Sequence, residues 1–270
     1  MITQEIIPQI AIYCVTYHSY DSLKNYLLSI DYAMAQVADV VHLSVIVADN
    51  TSPATPFLYT SKNFELNILV TGENLGYFGA IRFAMQQICP TEHDYVIISN
   101  VDVLLPENFF ASLINYNYEK NTAWIAPSIL SKTPHFDFNP QAIKRYSNLK
   151  MRLLRLMFKY PLLLKLKQRL LHMYRNFADY PSGSIYAGHG CFIILTKTYF
   201  EQCGIIQYPI FLYGEEIYLA EVCRQHQLNV MYTPEISVTD IGSVSTGRIP
   251  FRTFCKLNYN AIDYLIKEFF

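Results

Sequence analysis

Four short apolar runs, each closed by polar residues, recur through the first hundred positions of the chain. They are Ile10-Ala11-Ile12-Tyr13-Cys14-Val15-Thr16, Leu43 to Ala48, Leu66 to Val70 and Tyr95 to Ser99. Each is rich in strand formers and too short for a helix, so each reads as a buried strand. Helical spacing fills the gaps. Asp21 is placed to cap a helix with apolar positions Leu23, Tyr26, Leu27, Ile30, Met34 and Val37, and a second helix runs to about Ile88. Strands alternating with helices predict an α/β fold with a mainly parallel central sheet flanked by helices on both faces. In such sheets ligands sit beyond the carboxyl ends of the strands. Polar residues gather there: Thr16 and His18, Asp49 and Asn50, Asn100 and Asp102.

The pattern continues with a helix from Pro106 to about Tyr118 and a strand around Trp124-Ile125-Ala126. After a basic stretch come a strand from Gly190 to Leu195 and a helix from about Glu215 to His226. A short strand from Asn229 to Tyr232, a polar loop and a closing helix from Phe251 complete the chain. There is no internal repeat and no low-complexity linker. The reading is one domain over 1–270: two halves at 8–128 and 182–248, a basic helical insertion at 141–178, and a C-terminal helix at 250–270. With 51% hydrophobic and 16% charged residues a sizeable core is available, which excludes a disordered chain. The six cysteines form no close pair, so neither a disulfide framework nor a zinc knuckle is expected, and a reducing compartment follows. Met1 to Gln9 lacks the pattern of a signal peptide, and no run of about 18 apolar residues marks a membrane span.

Charge is unevenly spread. Of 21 Lys and Arg, 10 fall between Lys144 and Arg175, and no Asp or Glu occurs from Phe138 to Ala178. The remainder carries 11 basic against 22 acidic residues, an asymmetry that marks a partner surface. As a helix from Lys144 to Tyr160, the segment places Lys144, Arg145, Arg152, Arg155 and Lys159 on one arc. Tyr146, Leu149, Leu153, Leu156, Met157 and Tyr160 fall on the opposite side. Pro161 breaks the helix, and a second basic and apolar piece runs through Lys165, Lys167 and Arg169 to Arg175. This composition suits a helix lying on an anionic membrane surface. A helix pair packed on the domain and a dimer interface are the alternatives. The apolar content is too high for a phosphate-binding patch, so no nucleic acid partner is expected.

Asn100 and Asp102, two apart at a strand end, bring two oxygen-bearing side chains toward one hard divalent cation. Turn chemistry alone also accounts for such residues. Gly72 to Gly79 lacks the ending of a P-loop and is no dinucleotide fingerprint, and there is no Gly-x-Ser-x-Gly elbow. The seven His are isolated, and His189 reads as a packed or surface residue.

Five segments, in order, resemble the motifs of family 2 glycosyltransferases with the A-type fold. Val15-Thr16-Tyr17 is similar to their first strand end and Ala48-Asp49-Asn50-Thr51-Ser52 to their second. Asn74-Leu75-Gly76-Tyr77-Phe78-Gly79-Ala80 resembles their Asn-x-Gly segment, and Ser99-Asn100-Val101-Asp102-Val103 their metal triplet. Phe211-Leu212-Tyr213-Gly214-Glu215-Glu216 is similar to their acidic pair on a helix start. The resemblance spans about residues 9–246, and the rhamnosyltransferase-like branch is the nearest.

The resemblance implies a nucleotide-sugar donor held in the 8–128 half by Thr16, Tyr17, Asp49, Asn74, Gly76 and Asn100, with Thr16 and Asp49 at the base. It implies Mg or Mn on Asp102, Asn100 and Asp240, and a catalytic Glu216 beside Glu215 in the 182–248 half. The acids also suit a helix N-terminus on electrostatic grounds alone. The implied reaction is inverting transfer of a hexose or deoxyhexose to a polyprenyl-linked or other glycan acceptor of a surface polysaccharide. The expected place is cytoplasmic, peripheral at the inner face of the cell membrane. Two positions depart from the family: Asn100 stands where Asp is common, and Asp240, in Thr239-Asp240-Ile241-Gly242-Ser243-Val244-Ser245, where a metal-binding His is usual. They keep open a catalytically degenerate nucleotide-sugar or glycan binder of the same fold.

Overall fold

The computed structural model describes residues 7–132, 136–170, 180–242 and 249–270, with the backbone alone for 166–170. The four predicted strands are β1 (Gln9–Thr16), β2 (His42–Asp49), β3 (Glu65–Val70) and β4 (Tyr95–Asn100). They lie in the order β3-β2-β1-β4 and are all parallel. Register sets Thr16 beside Asp49 and Val15 beside Asn100. The polar ends therefore share one rim, because parallel strands finish on the same side.

Successive residues of β1 point to opposite faces. Ile10, Ile12 and Cys14 pack in one layer with α1 (Tyr20–Met34) and α3 (Phe109–Asn115). Ala11 and Tyr13 pack in the other with α2 (Tyr77–Gln87), α6 (Lys197–Cys203), α7 (Glu215–Gln225) and α8 (Phe251–Phe269). Leu23, Tyr26, Leu27, Ile30 and Met34 form the buried stripe of α1, as their spacing predicts. Ser19, not Asp21, takes the cap position; Asp21 lies in the first turn, where a carboxylate meets the positive helix end. The predicted helix to Tyr118 stops at Asn115, and α6 is a helix that the sequence pattern did not suggest.

Beyond β4 the sheet reverses. β8 (Phe192–Thr196) runs antiparallel to β4 and to β6 (Thr122–Ser131). β6 is parallel to β9 (Asn229–Asp240), and β5 (Val103–Leu104) and β7 (Gly183–Ile185) pair antiparallel with β9. The short strand expected at Asn229–Tyr232 is thus twelve residues long. Pro234 has no N–H for a ladder, and pairing with β6 slips there from Pro127↔Thr233 to Ser128↔Ser237, then resumes. Asp240, expected in a loop, closes this strand.

The basic insertion forms α4 (Asn148–Lys159) and α5 (Pro161–Leu170). Ser147 caps α4 by accepting from Lys150 N–H, so the helix starts four residues after the expected Lys144. It packs on α8, with Phe158 against Phe254 and Arg155 paired to Asp263 at 2.9 Å. Just ahead of it, Arg145 binds Glu221 of α7 at 2.6 Å and donates to the Phe269 carbonyl at 2.8 Å. Two of the five cations on the predicted basic arc are therefore committed within the protein. The predicted basic piece at 171–175 lies outside the described residues. Among the described residues no helix is long and apolar enough to cross a membrane, and the six cysteines are free thiols.

Candidate active site

The polar strand ends open into one cleft of about 760 Å³. Asn100, the last residue of β4, and Asp102, in the turn after it, both reach this cleft. Asn100 N–H donates to the Cys191 carbonyl (2.9 Å), and the Asp102 carbonyl accepts from Ile241 N–H (3.0 Å), so this turn is pinned between the start of β8 and the end of β9. The β5–β9 pairing sets Val103 beside Asp240, bringing Asp240 to the same stretch of wall. Asp102 and Asp240 are 7% and 8% exposed. Burial pushes the Asp240 carboxyl above its usual range, partly countered by the Gly242 N–H on its Oδ1 (2.7 Å).

Glu215 and Glu216 open α7 and line the same cleft. Burial raises both carboxyls above the usual range, and the Glu216 charge raises Glu215 further. Backbone N–H groups, that of Gly190 included, work against the rise at Glu216. Gly190 also makes the space: a Cβ there would lie 2.9 Å from Glu216 Oε1 and 3.1 Å from Glu215 Cγ. The Cys191 thiol is pushed up by burial and then by the charges of Asp240, Asp102 and Glu216. Carboxylates far apart in the chain therefore converge around one residue.

A further part of the lining is the loop ahead of α2. Asn50 Nδ2 donates to the Gly76 carbonyl (2.8 Å) and to Asn74 Oδ1 (3.3 Å), which also accepts from Gly76 N–H (3.0 Å). Gly76 has φ +75°, and a Cβ there would stand 1.9 Å from the Phe211 carbonyl oxygen. Tyr77 N–H donates to that same oxygen (3.1 Å). The loop is docked by its backbone on the segment that leads into α7.

Of the residues singled out in the sequence, Tyr17, Asn74, Gly76, Asn100, Asp102, Glu215, Glu216 and Asp240 line this cleft. Thr16 and Asp49 stand behind the lining. Asp49 is 2% exposed, its oxygens accepting from the Tyr20 hydroxyl (2.8 Å) and Thr51 N–H (2.9 Å). Thr16 Oγ1 is buried with no hydrogen-bond partner among the described residues. Ser243-Val244-Ser245 lies outside those residues.

His189, read from the sequence as a packed or surface residue, lines the cleft with Gly190 and Cys191. Its backbone N–H donates to Asn139 Oδ1 (2.7 Å) and its Nδ1 accepts from Cys191 N–H (3.3 Å), which leaves the proton of the neutral ring on Nε2. The reason for the miss is directional. β8 is antiparallel to β4, with Ser99 beside Phe192, so the residues before β8, not those after it, reach the rim. The glycine pair flanking His189, just ahead of an apolar run, was the available signal.

Among the described residues no trio of His, Cys, Asp or Glu stands together as a ready metal cage. The donors at hand are the carboxylates of Asp102 and Asp240 and the Asn100 amide oxygen, all hard ligands. Such a set fits a divalent cation that completes its shell with phosphate oxygens and water, the usual arrangement for Mg.

No family model matches the sequence, and no curated protein matches it. Solved structures do match. GalNAc-T7 with UDP, GalNAc and Mn2+ aligns over 90% of this chain and 45% of its own, at 11% identity and a TM-score of 0.57. The mannosyltransferase PcManGT from Pyrobaculum calidifontis, in complex with GDP-Man and Mn2+, aligns over 89% of this chain and 59% of its own, at 12% identity and a TM-score of 0.53. The chain thus spans about half the length of the solved chains it matches. At these identities the likeness is one of fold: the protein has the A-type glycosyltransferase fold.

Proposed function

We propose that this protein is an inverting glycosyltransferase acting on a nucleotide-sugar donor with Mg or Mn. The observation that carries the reading is the convergence of Asp102, Asp240 and Glu216 on a single cleft, with the charges of all three acting on Cys191. Both solved neighbours hold Mn2+, one with UDP and the other with GDP-Man, which supports the donor class and the metal. Asp102, Asp240 and Asn100 would hold the cation, whose contribution when bound is to offset charge on the leaving diphosphate. Tyr17, Asn74 and Gly76 form the donor end, with Asp49 and Thr16 behind it shaping the base site. Glu216 takes the proton of the acceptor hydroxyl as its oxygen attacks the anomeric carbon. The bond from that carbon to the diphosphate breaks, and its electron pair leaves with the nucleotide. Glu215 takes a different role, since adjacent helical residues diverge by about 100°.

The transferred group in this reading is a hexose or a deoxyhexose such as rhamnose. The acceptor is a polyprenyl-linked or cell-surface glycan precursor, met at the cytoplasmic face of an anionic membrane through residues 144–175. The Asn100 and Asp240 departures favour a second reading, a binder of the same fold that no longer turns over.

Donor hydrolysis in Mn2+ decides between them. The wild type is expected to release nucleoside diphosphate, at a rate that rises with pH because the raised Glu216 carboxyl must be ionised to act. Glu216→Gln should lose about 10²- to 10⁴-fold in rate while binding the diphosphate unchanged. A wild type that binds nucleotide and never turns over establishes the binder.

A further inference from the structure

The insertion has two faces, and one of them is spent on the protein itself. Inward, Met151 is buried, Leu154 and Phe158 pack on the core, and Arg155 holds Asp263. Outward, Leu149, Leu153, Leu156 and Tyr160 are 68%, 49%, 46% and 50% exposed. On a helix these four fall within a stripe roughly 60° wide. Leu162 and Leu163 continue the exposed apolar surface past Pro161. Contiguous apolar surface of this kind marks a contact with another molecule or a membrane.

Charge names the partner. Arg152 and Lys159 flank the stripe on one side and Lys150 on the other, all exposed, and no acid occurs from 138 to 178. Leucines bordered by cations match acyl chains beneath anionic headgroups. A second copy of this chain is the poorer fit, because a two-fold contact sets the same basic flanks against each other. The inward side of the insertion adds a link to the site. Tyr146, Leu154 and Phe158 line a cavity of about 220 Å³ that shares Gln141, Tyr213 and Glu216 with the main cleft.

We propose that α4 and the start of α5 seat the protein on an anionic bilayer through the Leu149, Leu153, Leu156 and Tyr160 stripe, and that acceptor hydroxyls held at the membrane approach Glu216 from this side. The seating rests on the exposed stripe; only the acceptor route rests on the proposed transfer.

The test is flotation of the full chain with vesicles. The wild type should float with phosphatidylcholine vesicles containing about 30% phosphatidylglycerol and far less with phosphatidylcholine alone. Leu153→Glu with Leu156→Glu should lower partitioning by more than about tenfold, and Arg152→Gln by about fivefold. Both variants change exposed residues, so their thermal midpoints should stay at the wild-type value, and their donor hydrolysis in solution should be unaltered. A wild type that does not float with anionic vesicles, or flotation untouched by the double substitution, overturns the proposal. So does a wild-type dimer that the double substitution converts to monomer with no vesicle binding in either. Loss of hydrolysis in the wild type bears on the transfer reading alone.

Discussion

At the scale of single residues, two glycines carry more of the site than its acids reveal. Gly76 occupies a left-handed conformation with the Phe211 carbonyl oxygen 1.9 Å from where a Cβ would stand, and a backbone oxygen already bound to Tyr77 N–H has nowhere to go. Gly190 meets side chains instead, the carboxylates of Glu216 and Glu215, which can rotate aside. The same substitution should therefore have opposite signatures. Gly76→Ala is expected to cost about 3 kcal/mol of stability, strain and clash together, read as a shift of the urea midpoint. Gly190→Ala should leave that midpoint nearly unchanged while donor turnover falls about 10²-fold, since an ångström of misplacement at a reacting group costs that much. A Gly190→Ala protein with wild-type turnover would remove Glu216 from the reaction. Gly76 was legible in the sequence as part of Asn-x-Gly; Gly190 was not, because nothing in its neighbourhood names the helix start 25 positions later that it touches.

At the scale of elements, the insertion is bolted to the helix that bears the acids. Glu221, on α7, is fully buried; burial alone would raise its carboxyl, but hydrogen bonds from Arg145, Tyr186 and Arg224 hold it below the ordinary 4.5. Arg145 also stacks over the Phe270 ring, so one side chain joins the insertion, α7 and the end of α8. Replacing it by Met leaves Glu221 with two partners, and the expected loss is about 2 kcal/mol near neutral pH. A depressed carboxyl contributes stability above its unfolded pKa and loses it as pH falls through the folded value. The difference between wild type and Arg145→Met should thus shrink when unfolding is followed below about pH 4. A penalty that is the same at both pH values would mean that Arg145 acts by packing alone. The sequence pattern assigned Arg145 to one basic arc with Arg152 and Lys159. Helical spacing says which residues share a face, but which face meets the protein depends on α8, more than a hundred positions away.

At the scale of the whole molecule, one sheet joins a parallel half that ends in Thr16, Asp49 and Asn100 to a mixed half that supplies Asp240 and the Glu216 helix. In the proposed site the cation's ligands come from both, Asn100 and Asp102 at and just after the end of β4 and Asp240 closing β9. Nucleoside diphosphate and Mn2+ together should therefore raise the thermal midpoint by more than the sum of their separate effects. At about a hundred times the dissociation constant the gain is about 2.7 kcal/mol, or roughly 5 °C for a chain of this size. A panel of nucleotides identifies the base by the largest shift, and strictly additive shifts would argue against a shared cation.

The sequence by itself determined what depends on neighbours along the chain. The buried strands, the helical stripe of α1, the polar clusters at strand ends and the five motifs in order are local patterns, and they led to the fold. The tertiary structure alone decided what depends on strand direction and on contact between distant segments. Reversal of β8 carries His189, Gly190 and Cys191 to the rim, and the slip at Pro234 lets β9 run on to Asp240. Packing on α8 turns Arg155 inward and leaves Leu153 and Leu156 outside. A period of two or of 3.6 residues gives the faces of an element, whereas which rim or which partner a face meets is set by burial shared across the whole sheet.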